Sequence, residues 1–263
     1  MIKKTILQGL TIGAAFFVIW LGMSQIDFMK IFHVNQVAGK TEKKIGDLFW
    51  ESIERTETII RKDSVNDYVD KIVTRLAEKN GIDRDKIKLH IIDKDEVNAF
   101  AMPDDHLIVY TGLIKSCDNQ EELAGVLGHE MAHIQKRHVM KKLVKEVGLS
   151  VILSMTTGGN SQTIQQALKM LSSSAYDRTL ETEADMTSVD YMIKADINPE
   201  PMADLMYKMS TDASMPDAAY WISTHPESEE RAKEILDYIK GKKFKKEKVL
   251  SDKEWKYLKD WVN

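Results

Sequence analysis

Two histidines four residues apart, with a glutamate directly after the first, are the residues of this sequence best suited to chemistry. They form the string His129-Glu130-Met131-Ala132-His133, an HExxH pattern. On an α-helix, residues i and i+4 lie on one face, so both imidazoles can bind one Zn²⁺ ion. Glu130 is placed to take a proton from water activated by the metal. The pattern predicts a hydrolytic site with His129 and His133 as metal ligands and Glu130 as general base.

A catalytic zinc site needs a third protein ligand, and the nearest candidate in the sequence is His138. On a continuous helix, however, His138 would lie about 160° around from the midpoint of the histidine pair. The extended metzincin pattern is also absent, because Lys136 and Val139 stand where it requires glycine and histidine. We therefore expect His138 to be a packing or surface residue.

The better candidate lies in the acidic stretch Tyr176–Asp185. Glu181 and Asp185 are four residues apart and share one face of the predicted helix, whereas Glu183 projects away from both. We expect Glu181 to bind the metal, with Glu183 as the alternative ligand. Asp185 would accept a hydrogen bond from a ligand histidine and fix its tautomer. Such acids more often lie on a solvated helix face, but the HExxH pattern favours the metal site.

These motifs together resemble a known peptidase family. HEMAH followed by Tyr-x-Arg-x-x-Glu-x-Glu-Ala-Asp is similar to the gluzincin zinc peptidases of the Ste, HtpX and Oma types. The similarity extends from about Val65 to Arg231, and it includes the strings at 98–103, 110–113 and 223–226. The single candidate membrane segment places the chain nearest to the bacterial LoiP/BepA-like and Oma-like members.

The resemblance implies a zincin-type fold, one zinc ion per chain, and Glu181 as the acidic ligand. It also implies extracytoplasmic protein quality control, with unfolded or misassembled envelope or membrane proteins as substrates. In the same way it places the strand Asn98, Ala99 and Phe100 at the substrate edge, where an extended peptide can add by main-chain hydrogen bonds. The alternative for these three residues is an ordinary core strand.

Two further side chains are candidates with open roles. His225 precedes Pro226, which favours an extended backbone in a loop or at a helix entry. It could act as a catalytic residue that donates to the oxyanion, bind zinc as a fourth ligand in a latent state, or lie on the surface. Arg178 could pair with an acid near the site, orient the substrate carbonyl, or form a structural ion pair.

Composition excludes several classes of protein. The 263 residues carry a formal net charge of −4, so the chain is not a general binder of nucleic acid. Its one cysteine, Cys117, excludes a disulfide scaffold and a cysteine-built metal site. The chain is 43% hydrophobic and 30% charged, which is typical of a globular protein with a substantial core.

The N-terminal region has the character of a membrane segment. Lys3 and Lys4 precede an uncharged stretch from Thr5 to Met23, which as a helix would be about 28 Å long. We predict a membrane anchor or a signal segment in residues 1–30 and a zinc metallopeptidase domain in residues 31–263. The lysines should stay in the cytoplasm, so the catalytic domain should be anchored on the periplasmic side. If the segment is cleaved, the domain should be released into the periplasm.

The periodicity of apolar residues predicts an α+β fold that is mostly helical, with one small sheet beside the active-site helix. Strands are predicted at 87–91, 97–101 and 107–110. Two helices are predicted within 37–80, and others at about 119–140, 142–156, 161–172, 178–195, 199–210, 227–241 and 252–262.

The leading hypothesis is a zinc-dependent endopeptidase. A membrane-tethered chaperone or assembly factor with a latent or structural zinc site is the alternative, although such a site has no use for a base at Glu130. A zinc amidase acting on cell wall is a third possibility, which the predicted substrate strand weakly disfavours.

Overall fold

The computed structural model describes residues 34–211 and 219–262 and, further towards the N-terminus, Phe17 alone. The chain divides into two units, Met1–Thr41 and Glu42–Asn263. The predicted membrane segment lies, apart from Phe17, outside the described residues and stays a prediction. Among the helices that are described, none is both long enough and apolar enough to cross a membrane.

Twelve α-helices and one three-stranded sheet make up the described part of the chain, which confirms the predicted α+β class. The strands are β1 (Lys88–Ile92), β2 (Ala99–Met102) and β3 (His106–Tyr110). The helices are α1 (Val34–Thr56), α2 (Asp63–Lys79), α3 (Thr111–Ser116), α4 (Gln120–Gln135), α5 (His138–Val147), α6 (Leu149–Thr156), α7 (Ser161–Ser173), α8 (Arg178–Lys194), α9 (Glu200–Thr211), α10 (Ala219–Thr224), α11 (Ser228–Ile239) and α12 (Asp252–Val262).

The sheet has the order β1-β3-β2, so β2 lies at one edge. β3 pairs in parallel with β1 and antiparallel with β2. The chain reverses between β2 and β3 through Asp104 and Asp105, whose φ angles are 65° and 60°. Aspartate tolerates this left-handed conformation because its short polar side chain can bond locally. The three predicted strands are confirmed to within two residues.

Helix α4 occupies the core of the second unit. It packs against β2, α2, α8 and α9, and nearly all of its residues are buried. Because so many elements surround it, α4 has no broad solvated face, and polar side chains on it must find partners inside the protein. This placement puts the HExxH residues in the interior rather than on a surface.

The predicted helix 119–140 is wrong beyond Gln135. The residue Arg137 has φ 57°, in the left-handed region, and α5 begins anew at His138. The predicted helix 142–156 likewise breaks at Gly148, where φ is 87°. The short helices α3 and α10 are absent from the sequence prediction, because a single turn or two leaves little periodic signal.

Close contact between α4 and α8 depends on Gly128. A methyl group there would meet Ser188 Oγ at 2.6 Å, while Ser188 Cβ would stay at 3.5 Å. We expect Gly128→Ala to lower the free energy of unfolding by about 1–3 kcal/mol through overpacking. Ser188→Ala removes a buried hydrogen bond to the Gly125 carbonyl, at a cost of about 1 kcal/mol.

The double variant Gly128→Ala/Ser188→Ala should lose less free energy of unfolding than the two single variants lose together, because the oxygen that clashes with the new methyl group is absent. Urea unfolding of the four proteins measures this coupling. Strictly additive losses would show that the two helices do not meet at this contact.

Candidate metal centre and active site

Helix α4 carries the HExxH residues and begins with a side-chain cap. Asn119 accepts a hydrogen bond from the Glu122 backbone N–H at 2.9 Å, which satisfies one of the free donors of the first turn. The apolar residues of the helix pack into the core and fix its rotation. As a result His129, Glu130 and His133 are all fully buried.

The imidazoles of α4 converge on the carboxylate of Glu181. The Nε2 atoms of His129 and His133 lie 2.9 Å apart. Glu181, in the first turn of α8, has Oε1 3.3 Å from Nε2 of His133 and Oε2 3.7 Å from Nε2 of His129. One ligand atom from each of these residues and from His225 all lie within 4.8 Å of one another. The structure therefore brings the three predicted ligands together and adds a fourth nitrogen.

Behind His129, the outer ring nitrogen faces a buried carboxylate. Nδ1 lies 2.9 Å from Oδ1 of Asp185, which is the position that the i, i+4 spacing from Glu181 predicts. Asp185 is held in turn by Arg231, whose Nε and Nη2 donate to its two oxygens at 2.7 Å each. Arg231 Nη1 also lies 2.5 Å from Oε2 of Glu181.

Burial and charge together favour neutral His133 and His225 beside an ionised Glu181, but they act differently on His129. Burial lowers the pKa of His129, but Asp185 and Glu181 outweigh it and raise that pKa above its ordinary value. Burial raises the pKa of Glu181, but His225, His133 and His129 outweigh it and hold that pKa well below its ordinary value. Burial lowers the pKa of His133 well below its ordinary value and that of His225 to about 4. Deprotonated nitrogens and an ionised carboxylate are the forms that bind a metal.

Glu130 lies beside the cluster and touches β2. Its Oε2 accepts a hydrogen bond from the Ala101 backbone N–H at 2.9 Å. Its Oε1 is buried without a hydrogen-bond partner among the described residues, 3.5 Å from Nε2 of His225. Burial raises the pKa of the Glu130 carboxyl to about 7, against the opposing effect of His129. The carboxyl is therefore poised between its two protonation states near neutral pH.

His225 lies inside the cluster and not on the surface. Its Nδ1 is 3.0 and 3.2 Å from the two oxygens of Glu181, and the residue is 1% exposed. The indole of Trp221 stacks on its ring with the centroids 4.1 Å apart, and the indole N–H is buried without a partner in the described part of the chain. The sequence analysis did not identify Trp221. The feature that could have indicated it is its position about one helical turn before His225.

Tyr176 covers the other side of the histidine pair. Its ring stacks on His133 with a centroid distance of 3.9 Å. The ammonium of Lys142 lies 4.1 Å over the same ring and donates to the Leu171 carbonyl at 2.8 Å. Tyr176 and Lys142 thus connect the segment after α7 to the side chains of the predicted metal ligands.

The arginine beside Glu181 and Asp185 is Arg231, and of the three roles considered for Arg178 its contacts agree with the structural ion pair. Arg178 is 43% exposed and forms ion pairs with Glu227, Glu230 and Glu234. Arg231 is fully buried between α8 and α11. In the sequence, Arg231 precedes Ile235 and Ile239 at helical spacing and so shares their apolar face. This spacing could have predicted that Arg231 is buried.

His138 is fully buried, so the interpretation as a surface residue is wrong and that as a packing residue is incomplete. Its Nδ1 lies 3.0 Å from Nδ1 of His133, and its Nε2 lies 3.2 Å from Oε2 of Glu183. The angular argument against proximity assumed a continuous helix, which the turn at Arg137 interrupts. Neither His138 nor Glu183 belongs to the group of potential ligand atoms.

The predicted substrate strand lies next to Glu130. Ala99 and Phe100 belong to β2 at the edge of the sheet, and Asn98 directly precedes it. All three residues are buried, and Oδ1 of Asn98 has no hydrogen-bond partner within the described ranges. The edge position and the hydrogen bond from Ala101 place this strand beside Glu130. The burial of the three residues means that the edge is covered.

The residues at this centre fit a divalent transition metal. Two imidazole nitrogens and a carboxylate oxygen form the donor set typical of catalytic zinc sites with three protein ligands. The outer nitrogens of both imidazoles lie close to a buried side chain, 2.9 Å from Oδ1 of Asp185 for His129 and 3.0 Å from Nδ1 of His138 for His133, as is usual for ligand histidines. The site therefore offers both the ligand atoms and the supporting contacts of a metal centre.

Comparison with known proteins agrees with this geometry. The model of peptidase family M48 matches residues 63–239. The mitochondrial metalloendopeptidase OMA1 of Schizosaccharomyces pombe is 28% identical over 68% of this chain and 55% of its own length. The mitochondrial metalloendopeptidase OMA1 of Bos taurus is 29% identical over 71% of this chain and 39% of its own length.

A bacterial relative, the beta-barrel assembly-enhancing protease of Yersinia pestis, is 23% identical over 71% of this chain and 40% of its own length. The matches thus span between 39% and 55% of the length of these relatives. The relationship to Oma-type and assembly-enhancing proteases that the motifs predicted is confirmed. Because the family model covers more than half of the sequence, this chain belongs to peptidase family M48.

Proposed function

We propose that the protein is a zinc-dependent endopeptidase. The observation that carries the proposal is the convergence of His129, His133 and Glu181 around one point, with the carboxyl of Glu130 beside them. The three converging side chains would hold the ion. When bound there, zinc supplies Lewis acidity to the scissile carbonyl and to the attacking water.

Glu130 is proposed as the group that moves the proton. Its carboxylate accepts a proton from the attacking water and then passes it to the leaving amine. The hydrogen bond from the Ala101 N–H holds Oε2 and leaves Oε1, which lacks a partner among the described residues, to carry the proton. A pKa near 7 suits a group that must both accept and release a proton at neutral pH.

Substrate polypeptide is proposed to add to the edge of β2 at Asn98, Ala99 and Phe100. Main-chain hydrogen bonds to a strand edge tolerate many side chains, which suits unfolded substrates. Because this edge and the metal ligands are buried, the elements that cover them have to move before a peptide can bind.

His225 has two proposed roles that its position allows. Its Nε2 lies near Glu130, where a neutral imidazole that carries its proton on Nε2 could donate to the oxyanion of the tetrahedral intermediate. Its place among the potential ligand atoms also fits a fourth metal ligand in a latent state. Asp185 is proposed to orient His129, and Arg231 to orient Asp185.

The proposed setting is the bacterial cell envelope, with the catalytic unit on the periplasmic side and residues 1–30 as its membrane attachment. Unfolded or misassembled envelope proteins are the proposed substrates. The proposal is supported by the similarity to a protease that is named for enhancing beta-barrel assembly. The negative net charge gives no reason to propose a nucleic-acid partner.

A membrane-tethered chaperone or assembly factor with a latent metal site is the second candidate. One observation favours it, namely that His129, His133 and Glu181 are all 0% exposed. Under this proposal the metal stabilises the fold and substrates bind elsewhere.

Metal removal tests the leading proposal on the full chain purified in detergent. We expect about one zinc per chain, cleavage of unfolded casein, loss of cleavage with 1,10-phenanthroline, and recovery on adding one equivalent of zinc but not magnesium. Zinc should also raise the melting temperature, because it binds the folded state. Cleavage that persists in metal-free protein would overturn the metallopeptidase assignment. Zinc binding without cleavage by the wild type would favour the chaperone.

A further inference from the structure

We propose that His138 and Glu183 are positioning residues that hold His133 in the orientation and tautomer needed to bind the metal through Nε2. The inference rests on the proposed metal site and concerns two residues outside the ligand set. The three side chains form a chain of contacts, which we call the His133 relay, from the buried centre to the surface of α8.

The relay consists of two short contacts. Nδ1 of His133 lies 3.0 Å from Nδ1 of His138, and Nε2 of His138 lies 3.2 Å from Oε2 of Glu183. His133 and His138 are fully buried, whereas the Glu183 side chain is 44% exposed and lies 3.0 Å from Nζ of Lys136. Each ring nitrogen of His138 therefore faces one specific partner.

If His133 binds a metal through Nε2, the positions of the protons on both histidines of the His133 relay are determined. Nε2 of His133 faces His129 and Glu181 and must be deprotonated to bind a metal. The proton of His133 then lies on Nδ1, which donates to Nδ1 of His138. His138 must accept through that nitrogen, so its own proton lies on Nε2 and is donated to Glu183. The carboxylate thus fixes the tautomers of both histidines.

The backbone supplies this contact through the turn at Arg137. His138 follows His133 by five residues, a spacing that a continuous helix would carry around to another face. The left-handed conformation of Arg137, with φ 57°, ends α4 and directs the chain into α5. An ion pair of 2.6 Å between Arg137 and Glu42 holds the turn from outside.

The two metal-binding histidines are supported in different ways. His129 has a carboxylate directly behind it, Asp185, which is itself buried and paired with Arg231. His133 instead has a neutral imidazole between it and its carboxylate. Within the described ranges, Nδ1 of His133 has this imidazole as its one hydrogen-bond partner, so removing it leaves a buried donor unsatisfied and the ring less firmly oriented.

Four variants of the full chain in detergent test the relay. His138→Leu removes the acceptor, and His138→Asn restores one, because the amide oxygen of asparagine can replace Nδ1. Glu183→Leu removes the outer carboxylate at a half-exposed position, where folding should persist. Asp190→Leu is the matched control, since it removes one charge at similar exposure on the same helix.

The readouts are the zinc dissociation constant, measured by competition with a chromophoric chelator, and the visible spectrum of the cobalt(II)-substituted protein. We expect His138→Leu to weaken zinc binding by about 10–100-fold and to change the cobalt spectrum. His138→Asn should recover most of that affinity, Glu183→Leu should weaken binding by a smaller factor, and Asp190→Leu should match the wild type.

Zinc affinity of His138→Leu within about twofold of the wild type, with an unchanged cobalt spectrum, would overturn the relay while leaving the metallopeptidase proposal intact. If His138→Leu does not fold, wild-type affinity in Glu183→Leu overturns it equally. A wild-type protein that binds no divalent ion would overturn both proposals together.

Discussion

Replacing Glu130 with glutamine is expected to leave the zinc content of the protein unchanged and to lower kcat for peptide hydrolysis by roughly 10²–10⁴-fold. The amide oxygen of glutamine can still accept the hydrogen bond from Ala101, so the fold around β2 should persist. The amide cannot take up a proton from the attacking water. Metal analysis and casein cleavage on the same preparation measure both quantities.

Glu121→Gln is the matched control, because it makes the same chemical change in the first turn of the same helix, away from the cluster. This variant should cleave at the rate of the wild type. If Glu130→Gln cleaved as fast as the wild type, the general base would have to be another group. Loss of zinc from Glu130→Gln would instead show that this carboxylate binds the metal.

Removing the guanidinium of Arg231 is expected to lower the free energy of unfolding of the metal-free protein by about 3–5 kcal/mol. Arg231→Met keeps much of the side-chain volume but leaves the carboxylates of Asp185 and Glu181 buried without their cation. Arg231→Lys should lose less, since it keeps the charge but not the two parallel hydrogen bonds to Asp185. Urea unfolding in the presence of a chelator measures the losses.

Arg178→Met is the control for Arg231, because it also removes an arginine paired with glutamates, but an exposed one. Its loss should stay below about 1 kcal/mol, as is usual for surface ion pairs. Equal losses at the two positions would show that the buried carboxylates do not depend on Arg231. A stable Arg231→Met protein with weakened zinc binding would limit its role to orienting Asp185.

The closed form of the site determines what an activity assay will report. Tyr176 and Trp221 stack on His133 and His225, and the ligand side chains have no exposed surface. Access of a peptide to Glu130 requires these rings, or the elements that carry them, to move. The rate of cleavage will therefore include an opening step in addition to the chemical step.

The parts of the site that follow local periodicity were predictable from the sequence. His129 and His133 share a face because four residues make about one helical turn, and the same rule joins Glu181 to Asp185. The small sheet was also predictable, because β-prone runs between turn residues have a short-range signal. In each of these cases the relation involves residues within one element.

Only the tertiary structure decided which side chains support the ligands. Arg231 reaches Asp185 across 46 positions of sequence, and His138 reaches His133 because Arg137 leaves the helical conformation. Periodicity contains no information on either relation, since packing between helices and one left-handed residue determine them. For the same reason the sequence left the role of Arg178 open and did not indicate that Arg231 pairs with Asp185.

The sequence by itself thus determined which side chains could act as metal ligands and as general base, through the HExxH spacing on α4 and the acidic pair on α8. The tertiary structure decided that this chemistry is buried and that Trp221 and Tyr176 cover it. The physical reason is that hydrogen bonds and side-chain directions within a helix depend on near neighbours. Burial depends instead on how all the elements pack.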